Sequence, residues 1–522
     1  MPMGPVTLPA ITLQEIDEII TCYGQAAKRA VAAGYDCIEF HCAHNYLPHS
    51  FLSGGINHRQ DEYGGSLENR ARFPLACIRS IRENIPSDMP LFMRIDAQDD
   101  CLLNGLSIED IITFCNMAKQ EGVDVLDVSR GNIITAATVY EVPPIDIPNG
   151  FNVDNAARIR KETGMLTVAV GRINTAALAE EILADDKADM IVMGRAQLAD
   201  PDFCNKAETG SEEAIVHCIG CNQGCYDGFC DVMNRPFITC LRNPAIGHEK
   251  EYALQPTKDA KNVMIIGGGM AGLESAKILK LRGHHPEIYE ASDHLGGQFI
   301  TAGQAPGKKE MKDAAISFGE QVMNMGVTVH FDTCVTADLI KEKKPDVVMF
   351  ATGAQPIDLE MPNKTLKQVV SAHDVLDGKV QVKGRVCIIG GGLVGLEVAD
   401  YLANQKHEVS VVEMMEEAGK DLGTLRKICV MSKMQMLHVN ILTNTTSKEI
   451  SEEGLVCRQA EEAVTIPCDC IVMAVGARPR NIDELKQTCK ACGIPYEVIG
   501  DAKQARRALN AVEEGFMAAR KV

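Results

Sequence analysis

Apolar positions along the first 200 residues follow two alternating periods. Thr12-Leu-Gln-Glu15 reads as a capping box that opens an amphipathic helix running to about Ala33. Short apolar runs follow at residues 37–41, 91–94, 123–128, 166–170 and 190–193, with helical spacing between them from Ile108 and from Thr175. Strands of this length alternating with helices predict a parallel sheet, and ligand residues at their C-terminal ends suit a barrel.

The second half repeats a different unit. Residues 261–266 read as a buried strand that enters Gly267-Gly-Gly269-Met-Ala-Gly272, a helix from Leu273 to Leu281 and a strand at 286–290 ending in Glu290. Residues 385–389 enter Gly390-Gly-Gly392-Leu-Val-Gly395, then a helix through Leu402 and a strand at 408–412 before Glu413. Glycine permits the tight turn and lets a pyrophosphate approach the backbone at the helix N-terminus, while the acid accepts from a ribose hydroxyl. Glu413 repels a 2′-phosphate, and the Met-Met-Glu-Glu that follows adds negative charge without an arginine, so NADH is expected over NADPH. Residues 347–353, which end in Gly353, and the late Gly500-Asp501 before a helix from Ala505 resemble a flavoprotein pattern in which the aspartate contacts the ribityl chain. The resemblance assigns FAD to the first unit, with Gly297 and Gln298 in its set; by spacing alone Asp501 is equally a helix cap. The FAD-type pattern resumes at Ala474-Val-Gly476, so the NAD unit reads as an insertion.

Composition narrows the partners. A net charge of -19 over 522 residues argues against nucleic-acid and anionic-membrane binding. Twenty cysteines without a basic, apolar leader suggest reduced thiols, and no stretch has the apolar length of a membrane span, so a soluble cytoplasmic protein is expected. Cys218-Ile-Gly-Cys221-Asn-Gln-Gly-Cys225, with Cys240 further on, can gather four thiolates around an iron–sulfur cluster or zinc. Their place between two regions built for redox cofactors favours a cluster over redox-inert zinc.

The strand ends carry the chemistry. They finish in His41-Cys-Ala-His44-Asn-Tyr46, Arg94, Ser129-Arg130-Gly131, Gly171-Arg172 and Gly194-Arg195. The two Gly-Arg pairs on successive final strands suit a phosphate, glycine admitting backbone amides and arginine supplying charge. A metal at the histidine pair finds no third ligand at suitable spacing.

The run from His41 to Tyr46, with Asn57-His-Arg59-Gln-Asp61-Glu-Tyr63-Gly-Gly-Ser-Leu-Glu-Asn69-Arg70-Ala-Arg72-Phe, resembles the old yellow enzyme class. Nearly the whole chain resembles its larger iron–sulfur flavoenzymes, typified by 2,4-dienoyl-CoA reductase, enoate reductases and trimethylamine dehydrogenase. The resemblance implies that His41 and His44 hydrogen-bond a substrate carbonyl oxygen, that Tyr46 donates a proton to it, and that Arg94 lies beside the FMN ring. It also implies a [4Fe-4S] cluster on Cys218, Cys221, Cys225 and a fourth cysteine. Cys240 is preferred there because Cys240-Leu-Arg-Asn243-Pro matches the family's context, with Cys230 as its rival.

The expected fold is α/β: a partial (β/α)8 TIM barrel (1–215), an iron–sulfur segment (216–257), and two nested Rossmann-like domains, FAD-binding (258–370 and 471–522) and NAD-binding (371–470). Only four of the eight strands of a closed barrel are counted, and the family's first three would have to precede Thr12. Truncation of the reading frame, or a homo-oligomer or partner chain that completes the barrel, would account for this. The expected function is passage of electrons from NADH through FAD and the cluster to FMN, reducing the activated C=C bond of a small unsaturated carbonyl or thioester. An amine dehydrogenase similar to trimethylamine dehydrogenase and an electron-transfer subunit with a non-catalytic barrel are the alternatives.

Overall fold

The computed structural model describes residues 9–231, 233 and 237–522. These fall into two compact units that divide between Gln197 and Leu198. The division comes earlier than the expected 215 because residues 198–215 bond within the second unit. Asn243 Nδ2 donates to Leu198 O at 2.9 Å, and Gln321 Nε2 to Glu213 O at 2.9 Å.

The first unit opens with the helix Leu13–Ala32. Its capping box forms, with Glu15 N donating to Thr12 Oγ1 at 3.2 Å and Thr12 N to Glu15 Oε2 at 2.7 Å. Five parallel strands follow in sequential order, β1 (Ile38–Cys42), β2 (Leu91–Asp96), β3 (Val125–Ser129), β4 (Leu166–Ala169) and β5 (Met190–Ile191). This is one strand more than the count of four, since each of the five apolar runs forms one. Helices Leu67–Arg82, Ile108–Gln120, Val153–Thr163 and Ala176–Ala184 connect them in βα order. Ser107 and Thr175 cap the second and fourth of these as side-chain acceptors. The core lies between sheet and helices around Phe40, Met93, Leu126, Phe73, Phe114 and Ile159. All five residues of β3 are buried, whereas β1, at the sheet's edge, exposes Glu39 and His41.

The second unit contains two five-stranded parallel sheets. One runs Tyr496–Val498, Val347–Phe350, Asn262–Ile266, His285–Tyr289, Thr328–His330 in space; the other runs Gln368–Ser371, Cys470–Met473, Val386–Ile389, Val409–Val412, Asn440–Leu442. A three-stranded antiparallel sheet, Thr445–Ile450, Gly454–Gln459 and Glu462–Pro467, interrupts the second fold. The chain leaves the first sheet after Phe350 and rejoins it at Tyr496. Return to the first fold was expected at 471, but Cys470–Met473 lies inside the second sheet, paired with Val386–Ile389. The crossing strands Ala354–Pro356 and Ala477–Pro479 pair antiparallel as the chain goes out and comes back.

Candidate active site

Strand register gathers the first set of groups. His41 on β1 is level with Arg94 on β2, which is level with Asp127 on β3. Two left-handed residues, His44 (φ 58°) and Asn45 (φ 61°), then fold the chain back over the strand end. His41 therefore stands between its two expected partners, with ring centroids 5.3 Å from His44 and 5.0 Å from Tyr46. Tyr46 is 48% exposed and His44 only 4%. His44 Nε2 lies 2.8 Å from Ser129 Oγ, to which Arg94 Nη2 donates at 3.4 Å. The four residues named from sequence for this end of the sheet are thus brought together.

Electrostatics divide their roles. Burial, then the charge of Arg94, holds His44 neutral, its pKa lowered to about 3, and the same two causes lower His41. Neutral imidazoles can each present one N–H to an oxygen. Below them lies a polar layer that sequence reasoning missed. His49, on the helix Leu47–Leu52, sits 3.1 Å from Asp96 Oδ2 and 3.0 Å from Asp99 Oδ1. Those carboxylates outweigh burial and raise its pKa to about 9. Asp96 Oδ2 also accepts from His44 N at 2.6 Å, so it fixes the turn that carries the histidine. Glu141, 4.0 Å from His44 Nδ1, has its pKa raised by burial to about 7. Burial likewise raises Asp127 to about 7, with Arg94 opposing. The available signal was Asp96, two residues beyond Arg94 and hence on the same face of β2.

The Gly-Arg pairs occupy the ends of adjacent strands β4 and β5. Gly171 has φ +132°, and a Cβ there would meet Phe151 at 2.7 Å; Gly194 faces open space. The arginines also hold backbone, Arg172 Nη1 donating to Ile145 O at 3.0 Å and to Ile147 O, and Arg195 Nη1 to Pro143 O at 2.8 Å. The open space at Gly194, next in sequence to Arg195 and on the strand adjacent to the one that ends in Gly171-Arg172, fits a flavin phosphate.

Both dinucleotide loops have the required backbone. Gly267 and Gly390 have φ of +110° and +105°, and a Cβ on Gly272 or Gly395 would lie 2.0 or 1.9 Å from the carbonyl oxygen of Gly267 or Gly390. The first helix, Met270–Leu281, begins a turn earlier than expected, with Gly269 as its N-cap. Gly268 N donates to Glu290 Oε2 and Gly391 N to Glu413 Oε2, each at 2.7 Å. Gly297 (φ +54°) packs on Gly269, Gln298 Nε2 donates to Ala354 O at 3.2 Å, and Gly353 faces open space. The buried hydroxyl of Thr352 beside it has no protein partner, as a cofactor-facing group would not. Asp501 lies in the short turn Gly500–Ala502 and accepts from Arg506 N at 3.1 Å, so it does not cap the final helix, whose N-cap is Arg507. Sequence reasoning also passed over a buried ion pair, Lys308 with Glu397, which has Arg426 Nη1 3.9 Å from the same carboxylate.

Gly224 explains how the cysteines meet. A Cβ there would lie 2.1 Å from Thr239 O, and Thr239 N donates to Gly224 O at 3.4 Å, so the loop holding Cys221 and Cys225 lies directly against the residue before Cys240. Burial, with mutual repulsion among Cys218, Cys221, Cys225 and Cys240, raises the thiol of Cys221 and takes that of Cys240 to about 11. Arg242 N donates to Cys240 Sγ at 3.4 Å, whereas Cys230 is exposed. Among the described residues no three His, Cys, Asp or Glu side chains stand close enough to ligate one metal ion. Four thiols that repel one another as anions fit a cationic multinuclear group.

Comparison with known proteins connects these two regions. Residues 5–214 match the NADH:flavin oxidoreductase / NADH oxidase family, and residues 261–497 the pyridine nucleotide-disulphide oxidoreductases. The bilirubin reductase of Mediterraneibacter gnavus is 34% identical over 514 residues, covering 98% of this chain and 79% of that protein. The chain belongs to the NADH:flavin oxidoreductase / NADH oxidase family. An NADH oxidase of Thermoanaerobacter brockii is 36% identical over 98% of this chain and 78% of its own length. Among solved structures, a 2-naphthoyl-CoA reductase in complex with 2-naphthoyl-CoA superposes with a TM-score of 0.92 at 29% identity, over 98% of this chain and 77% of that one. The chain thus spans about four-fifths of the length of these members. It is an oxidoreductase, a 2,4-dienoyl-CoA reductase-like flavoenzyme with an FMN-type barrel region and a region of the FAD- and nicotinamide-binding type. No helix among the described residues is long and apolar enough to cross a membrane.

Proposed function

We propose that the protein is an NADH-dependent reductase of an activated carbon–carbon double bond conjugated to a carbonyl or thioester. The observation that carries this reading is the convergence of His41, His44 and Tyr46 at the end of β1, with His41 level with Arg94 on β2. FMN, when bound, supplies hydride, FAD accepts it from NADH, and a [4Fe-4S] cluster passes single electrons. Gly171, Arg172, Gly194 and Arg195 would hold the FMN phosphate, with Arg94 beside its ring. The first glycine loop, Glu290 and Asp501 would hold FAD, the second loop and Glu413 NADH, and the four cysteines the cluster.

The residues' own part in the chemistry follows from their charge. Hydride addition at the β-carbon moves negative charge onto the carbonyl oxygen. Neutral His41 and His44 donate N–H groups to that oxygen, and the exposed phenol of Tyr46 supplies the proton. The ion-paired His49 and Asp96 beneath keep the His44 turn in place. Steady-state NADH oxidation with an enone or enoyl thioester as acceptor tests the reading. Turnover that requires the unsaturated acceptor supports it, and anaerobic bleaching by an amine without NADH contradicts it.

A further inference from the structure

The two glycine loops can be aligned past their acids. Gly296 N donates to Gly268 O at 2.9 Å, and Gly419 N to Gly391 O at 2.7 Å. Leu295 and Ala418, one residue earlier, lie against Gly268 and Gly391. By this alignment Gly297 corresponds to Lys420 and Gln298 to Asp421. In the first fold Gln298 turns away to Ala354 O. In the second, Asp421 lies across the start of the helix Leu393–Asn404, both carboxylate oxygens accepting from Leu393 N at 2.9 and 3.0 Å. A Cβ on Gly392 would lie 3.2 Å from the same carboxylate. An anion of the chain's own therefore occupies the helix N-terminus where a glycine loop receives pyrophosphate.

We infer that Asp421 is an internal competitor of the coenzyme's pyrophosphate and sets the affinity of the second dinucleotide site; the inference rests on that site being the nicotinamide site. Two anionic groups cannot share one amide without strong repulsion, so the carboxylate leaves when the dinucleotide enters. Its setting permits this. The Asp421 side chain is exposed, while the main chain of its loop is anchored. Arg507 Nη2 donates to Asp421 O at 2.9 Å and Arg507 Nη1 to Asp227 Oδ2 at 2.6 Å, and a Cβ on Gly423 would meet Asp227 at 2.4 Å. The carboxylate can swing into solvent with its loop in place.

Calorimetric titration of the oxidised, flavin-loaded protein with NAD+, which binds without reducing the flavin, separates competition from simple capping. Asp421→Asn and Asp421→Ser each keep an oxygen that can cap Leu393 and remove the charge. Competition predicts NAD+ binding tighter by on the order of fivefold in both variants, the scale of one charge at a helix N-terminus. Unchanged or weaker binding in variants with the parent's unfolding temperature overturns the inference, as does lower unfolding temperature without a gain in affinity. Absence of NAD+ binding in the parent protein overturns the coenzyme reading itself.

Discussion

Tyr46 and His49 sit three residues apart and do opposite work. On the proposed function Tyr46, half-exposed beside His41, gives up a proton, and Tyr46→Phe is then expected to lower kcat for an enone about 10²–10⁴-fold while flavin content stays at the parent level. A smaller loss of turnover would move the proton source elsewhere, Glu141, 4.0 Å from His44 Nδ1, being one group near neutrality. His49 is fully buried between two carboxylates, so its charge is structural. Its folded pKa of about 9 lies above the ordinary 6.5, so its contribution to stability is complete below about pH 6.5 and is lost as pH rises through 9. Thermal unfolding between pH 6.5 and 10 should show the first unit weakening, and His49→Gln should be less stable throughout, with that slope removed. Glu413 gives a third residue-scale test. Glu413→Arg should abolish flavin reduction by NADH, read anaerobically at the flavin absorbance.

At the scale of elements, glycine carries the arrangement wherever backbone approaches backbone. Gly224→Ala should push Thr239 and Cys240 away from the cysteine loop and lower bound iron to less than half the parent value, whereas Cys230→Ser should leave iron unchanged. Equal iron loss in both would place the fourth ligand at Cys230. These elements also show what the sequence disclosed. The capping box at Thr12, the five apolar runs and both glycine loops were readable because each depends on local spacing. The layer of His49, Asp96, Asp99 and Glu141 was not, because its meaning comes from ion pairs across a strand, the loop after it and two short helices. Residues 471–473 were assigned to the first fold on the pattern that follows them, but strand pairing places Cys470–Met473 in the second sheet. Asp421 was passed over because only alignment of the two folds brings out that its carboxylate accepts from Leu393 N at the start of the second dinucleotide helix.

At the scale of the whole molecule, the order along the chain is barrel strands, four cysteines, and one dinucleotide fold set within another. On the proposed function, hydride would enter in the carboxyl-terminal half and substrate chemistry would take place in the amino-terminal half, with the four cysteines between them in sequence. Flavins accept two electrons and release one, which is the conversion a cluster requires. The most direct test is anaerobic NADH titration of the parent and of Cys221→Ser, with flavin absorbance and low-temperature EPR recorded together. The account predicts that both flavins bleach and a reduced-cluster signal grows in the parent, whereas in Cys221→Ser only FAD bleaches and FMN stays oxidised. Equal bleaching of FMN in the two proteins, or a parent free of iron, would contradict it.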